Sequence, residues 1–171
     1  YLQDATCLDN LSLEREINCV ITAPPYPARF SYVWNTLPHL YFFGYHTSPR
    51  EPSALDEKAL GGTWGDATYK LMRERVAVEH ISVAKHISPI ADQFREEDPL
   101  AANYLIKYFN LITRHLMELD KLAQRNFRVA YMVGSAELGG SLINTGQLLG
   151  SILDDFGAGC GKLRVFLLPL L

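Results

Sequence analysis

The chain has 171 residues, enough for one domain with a real core. Its 48% hydrophobic and 20% charged residues are those of an ordinary globular protein. A formal net charge of -3 gives no global electrostatic ground for binding nucleic acid or an anionic membrane, so a nucleic-acid role would need a local basic face or a further segment.

No apolar run reaches the roughly 18 residues of a membrane-spanning helix, and no signal-peptide pattern opens the sequence. The three cysteines, Cys7, Cys19 and Cys160, are far apart, odd in number and form no Cys-x-x-Cys pair. They read as core filling in a reducing, cytoplasmic compartment rather than as a disulfide framework. The chain opens on Tyr1 and ends on an apolar "VFLLPLL", which reads as a fragment of a longer protein.

In chain order, the first element is "INCVITA" (Ile17 to Ala23). It is short, apolar and β-branched, and Pro24-Pro25 ends it, so it reads as a buried parallel strand. From Phe43 to Gly65 the chain is rich in Gly, Pro, Ser and Thr. This predicts a loop-rich insertion, extending over 43–98 and carrying a helix from about Asp66 to His86. Irregular insertions after a strand's carboxyl end often carry function.

From Leu100 to Leu122 apolar residues recur at three and four, predicting a long helix; Asp98-Pro99 supplies an N-cap and a proline at N1. "RVAYMVG" (Arg128 to Gly134) reads as a second parallel strand, adjacent to the first across the long helix. "INTGQLLGSILDDFG" (Ile143 to Gly157) reads as a helix, and "KLRVFLL" (Lys162 to Leu168) as a third, weaker strand. The alternation implies an α/β domain with a mostly parallel sheet and flanking helices. In such sheets ligands sit at the carboxyl ends of the strands.

That end is occupied by Thr22-Ala23-Pro24-Pro25-Tyr26. Proline fixes φ and donates no hydrogen bond. Two prolines just past a parallel strand turn the chain and leave carbonyls unpaired, and the tyrosine beside them offers a flat face. The combination suits a planar ring with an exocyclic amino group, whose hydrogens go to the carbonyls while the ring stacks, as a flipped-out base is gripped. The plain alternative is a structural turn with a buried tyrosine. A free proline-rich ligand is a poor reading, since the run is short and held against a strand.

"VITAPPY" resembles the catalytic motif, (Asp/Asn/Ser)-Pro-Pro-(Tyr/Phe), of the S-adenosylmethionine-dependent amino-methyltransferases that modify adenine N6 or cytosine N4 in DNA. "QDAT" (Gln3 to Thr6) is similar to the short element that precedes that motif. "PYPARFSYVWNTLPHLYFFGY" and "LGGTWG" resemble its continuation. "YLIKYFNLITRHL" with "RVAYMVGSAELGGSLINTGQLLGSILDDFG" looks like the helix, strand and helix that close such domains.

The resemblance covers most of the chain and implies the later half of a Rossmann-like methyltransferase fold, as a single partial domain over 1–171. It implies methyl transfer from S-adenosylmethionine to an exocyclic amine of a base flipped from duplex DNA, within restriction-modification chemistry. Ala23, Pro24, Pro25 and Tyr26 would form the catalytic corner, with Tyr26 and Arg29 against the substrate. Asp4, Ala5 and Thr22 would meet the cofactor, Asp4 at its adenine.

Two departures accompany it. The family's Phe-x-Gly-x-Gly motif is absent; "GAGCG" (Gly157 to Gly161) follows a helix and reads as a loop. Ala23 stands where the family has Asp, Asn or Ser, so one acceptor for the target amine is missing. The alternatives are an inactive remnant or nucleic-acid-binding module that keeps the fold, or methylation of RNA.

Other residues read more plainly. Tyr32, Trp34, Tyr41, Phe42 and Phe43 read as core aromatics. Gly61-Gly62-Thr63-Trp64-Gly65 is either a flexible loop or a loop shaping the base-facing side of the cleft. His39, His46, His80, His86 and His115 show no ligand spacing, so no metal is expected.

Overall fold

The computed structural model describes residues 4–9, 11, 17–28, 30–122, 127–157 and, for the backbone, 164–169. It is a mixed helix and strand structure with a small parallel sheet. β1 (Cys19–Thr22), β2 (Arg128–Val133) and β5 (Arg164–Pro169) stand in the order β1-β2-β5, all parallel. Thr22 pairs with Tyr131, so the first two strands are adjacent and parallel as the sequence predicts. The connection between them contains α7 (Pro99–Leu122), whose first turn is capped by the Asp98 carboxylate accepting from the Ala101 amide at 2.8 Å.

One sheet face presents Val129, Tyr131 and Val133 to the core that α7 builds with Tyr104, Leu105, Tyr108, Phe109, Ile112 and Leu116. α8 (Thr145–Gly157) adds Leu149 and Ile152 to the same core. β1 is less buried than its apolar sequence suggests. Among the described strands it is the sheet edge, and Ile21, on the face away from that core, is 79% exposed. Cys7 and Cys19 are exposed rather than core-filling, and Cys160 lies outside the described residues.

The segment expected to be a loop-rich insertion is mostly short helices. α1 (Tyr32–Asn35) and α2 (Leu37–Phe42) precede α3 (Arg50–Lys58), α4 (Asp66–Arg73), α5 (Ile81–His86) and α6 (Ser88–Gln93). The single helix expected from Asp66 to His86 is broken after Arg73. Two buried asparagines on α7 hold the intervening chain extended. Asn103 donates to the Leu71 carbonyl at 2.7 Å and the Glu74 carbonyl at 3.1 Å, and accepts from the Val76 amide at 3.2 Å. Asn110 repeats this seven residues on, donating to Ala77 at 2.8 Å and accepting from Glu79 at 3.2 Å. Side chains thus satisfy the backbone groups a continuous helix would have paired.

The aromatics after the corner are also not core. Tyr32, Tyr41, Phe42 and Phe43 are 47%, 40%, 83% and 65% exposed, and Trp34 is half-buried. α1 buries only Val33 and α2 no residue, because helices this short present no continuous stripe to the core. Beyond β2 a hairpin joins β3 (Ala136–Leu138) to β4 (Ser141–Ile143) through Gly139 and Gly140, both at positive φ. Ile143 therefore belongs to a strand, and the helix begins at Thr145. Among the described residues no helix is long and apolar enough to cross a membrane.

Candidate functional site

The corner lies where the chain leaves the carboxyl end of β1. Ala23 is exposed, Pro24 buried, Pro25 and Tyr26 half-buried. Two of its carbonyls are not open to a ligand. Tyr108 on α7 donates its hydroxyl to the Pro25 carbonyl at 2.8 Å, and Tyr104, one turn earlier, donates to the Tyr26 carbonyl at 3.4 Å. This corrects the expectation that the prolines leave the corner's carbonyls unpaired. Among the described residues no donor reaches the Pro24 carbonyl. Burial, with Tyr104, Tyr131, Tyr32 and Tyr26 nearby, pushes the Tyr108 hydroxyl well above the usual phenol range, so it stays a donor.

The Asp4 turn docks on the same helix. Asp4 Oδ1 accepts from the Thr6 amide and hydroxyl, both at 2.8 Å, and these bonds hold its carboxyl below the usual carboxylate range. His115 Nδ1 donates to the Ala5 carbonyl at 2.7 Å. Its ring stacks on Tyr131, the register partner of Thr22, with centroids 6.0 Å apart. Burial pushes the His115 pKa down. The structure therefore links Asp4-Ala5 to Thr22 through His115 and Tyr131. Gln3, Arg29 and residues 158–161 of the "GAGCG" run lie outside the described residues.

Beside the corner opens a cleft of about 490 Å³ lined by Ala28, Thr63, Trp64, Gly65, Thr68 and Leu100. Ala28 ties it to the corner, since its amide donates to the Tyr26 carbonyl at 2.8 Å. The Gly61–Gly65 segment that forms one wall is held by hydrogen bonds to its backbone. Asp56, fully buried on α3, accepts from the Trp64 amide at 3.0 Å and from the Ser31 hydroxyl. Ser31 in turn caps α1 by accepting from the Trp34 amide at 3.1 Å. Lys107 on α7 donates to the Gly62 carbonyl at 2.7 Å, and the Thr68 hydroxyl donates to the Thr63 carbonyl. Burial pushes the Lys107 pKa down to about 8, against the raising effect of Asp56 and Glu57.

Gly62 shows how tightly the wall is drawn in: a Cβ there would overlap the Asp56 carbonyl oxygen. Asp56, Lys107, Tyr104 and Tyr108 do not announce themselves in the sequence as site residues. The tyrosines and the lysine sit within an ordinary helical apolar pattern, and Asp56 looks like one more acid in a charged run. Among the described residues no three His, Cys, Asp or Glu side chains gather as metal ligands would. Compared with protein-family models, curated proteins and solved structures, the chain matches none of them.

Proposed function

We propose that the chain is the later half of a Rossmann-like amino-methyltransferase that acts on an exocyclic amine of a DNA base. The observation that carries this reading is the corner at the carboxyl end of a parallel strand. Its Pro25 and Tyr26 carbonyls are tied back to α7, and among the described residues no donor reaches the Pro24 carbonyl, which would meet an amine beside Tyr26. The parallel β1-β2-β5 order, with β1 at the edge among the described strands, suits a sheet that continues beyond this strand.

S-adenosylmethionine would supply an electrophilic methyl group on sulfur. Asp4 suits its adenine end: the carboxylate is exposed, its pKa is lowered by the Thr6 bonds, and among the described residues both of those bonds fall on Oδ1. The chain's own work is orientation. An amine conjugated to a base ring is a weak nucleophile. The Pro24 carbonyl would take one of its hydrogens and hold it in line, while Tyr26 fixes the plane of the ring.

The second reading is a module that binds nucleic acid without catalysis. Ala23 favours it, because an exposed methyl group stands where an acceptor for the amine would be. One experiment separates the two. The intact protein, this chain together with the segment that would carry the glycine-rich cofactor motif, is incubated with tritiated S-adenosylmethionine and unmethylated DNA, and binding of the same DNA is followed by fluorescence anisotropy. Transfer that falls on Tyr26→Ala supports the enzyme. Binding without transfer refutes it in favour of the module.

A further inference from the structure

We propose that the cleft at Trp64 is a second base site, which stacks an unpaired DNA base next to the one held at the corner. The inference deepens the reading above and rests on its choice of DNA. The described residues that line the cleft include neither Pro24, Pro25 nor Tyr26, so this is not the corner itself. Its volume of about 490 Å³ falls in the range of small-molecule sites, roughly 300–1,000 Å³.

Trp64 is 51% exposed, yet it is carried on a pinned backbone. Its own amide is held by Asp56, the Gly62 carbonyl by Lys107 and the Thr63 carbonyl by Thr68. An exposed indole on a fixed segment at a cleft is a preorganised stacking surface, which gains affinity because little has to be ordered on binding. The ligand class follows from what else is present. Among the described lining residues the exposed indole stands with Thr63, Thr68 and Gly65, a flat apolar face with hydroxyl and backbone polar groups beside it. That is the chemistry of a nucleobase with its face free, and only an unpaired base can present that face. Ala28 lines this site and its amide donates to the Tyr26 carbonyl at 2.8 Å, which places the cleft next to the corner.

The test uses the whole chain. Its two tryptophans, Trp34 and Trp64, allow Trp64 to be read alone in a Trp34→Phe variant. This variant is titrated with a mixed-sequence single-stranded octadeoxynucleotide, with its duplex and with an abasic octamer. Saturable quenching is expected with the single strand and not with the abasic octamer. Independently, fluorescein anisotropy should show Trp64→Ala binding the single strand about tenfold or more weakly, with Trp64→Phe near the parent. The anisotropy arm does not depend on the Trp34 variant folding. No quenching, equal quenching by the abasic octamer, or unchanged affinity in Trp64→Ala would each overturn the proposal. Methyl transfer by the intact protein with an unquenched Trp64 sinks the second site alone. Quenching with no transfer by the intact protein upholds it and sinks the enzyme.

Discussion

Tyr108 and Pro25 are 83 residues apart in sequence, and the tyrosine hydroxyl donates to the proline carbonyl at 2.8 Å. The bond explains why a rigid corner and a long helix belong to one site. Pro25 cannot anchor itself through an amide it lacks, so its carbonyl is anchored from α7 instead. Tyr108→Phe should cost about 1 kcal/mol, because a half-buried carbonyl loses its donor. Tyr104→Phe should cost less, since its bond to the Tyr26 carbonyl is longer at 3.4 Å. Urea denaturation of both variants checks the order. Equal losses, or a larger loss for Tyr104→Phe, would contradict the tie-down as described.

Asp56 holds two segments at once, the start of α1 through Ser31 and the cleft wall through the Trp64 amide. Asp56→Ala strands the buried Ser31 hydroxyl and the part-buried Trp64 amide. The expected cost is about 3 kcal/mol or more, at roughly 1.5–3 kcal/mol for each hydrogen bond to a charged group. The loss should also be local. Acrylamide should quench Trp64 more efficiently in Asp56→Ala than in the parent, both carrying Trp34→Phe. An unchanged quenching constant would mean that the wall is held by other contacts.

Lys107 gives a pH dependence with a definite sign. Its folded pKa is pushed down to about 8 from the ordinary lysine value of 10.5, so between these values the unfolded chain binds more protons than the folded one. Stability then rises with pH through that window. Tyr108 and Tyr131 act oppositely. Burial raises both, so their unfolded forms ionise from about pH 10 while the folded forms do not, and stability falls above that. The rise from about pH 8 to about pH 10 should therefore be present in the parent and diminished in Lys107→Met. Thermal melts across this range, read as the difference between the two proteins, isolate the lysine. Parallel curves would show that Lys107 titrates normally.

The parallel strands and α7 are legible because their signals are local: β-branched runs closed by Pro or Gly, and apolar residues at three and four. The extended run after Arg73 is not, because its cause is Asn103 and Asn110, 27 to 33 residues away. The same holds at the site. The corner's position can be read from two prolines after a strand, but the fate of its carbonyls is decided 78 and 83 residues further on. One missed feature is readable: Gly139-Gly140 between two short apolar runs is a hairpin signal. The exposed Phe42 and Phe43 mark the opposite limit, since hydrophobicity alone does not say whether a short helix reaches the core.

Ala23 tests the chemistry most directly. It is exposed and lies just beyond β1, where a small polar side chain disturbs no packing. If the intact protein that contains this chain transfers methyl groups with the Pro24 carbonyl as its acceptor, then Ala23→Ser adds a second acceptor for the target amine. A hydrogen bond of about 1.4 kcal/mol that forms fully in the transition state is worth about tenfold in rate. Tyr26→Ala should act in the other direction, because stacking of a base on an aromatic ring contributes about 1–3 kcal/mol. The measurement is tritiated methyl transfer to unmethylated DNA by the intact parent protein and both variants of it, each at saturating DNA so that turnover and binding are separated. Faster turnover in Ala23→Ser with unchanged DNA affinity is the expected result. A parent that is already fast and is unchanged or slowed by Ala23→Ser would show that the amine is held by something other than this corner.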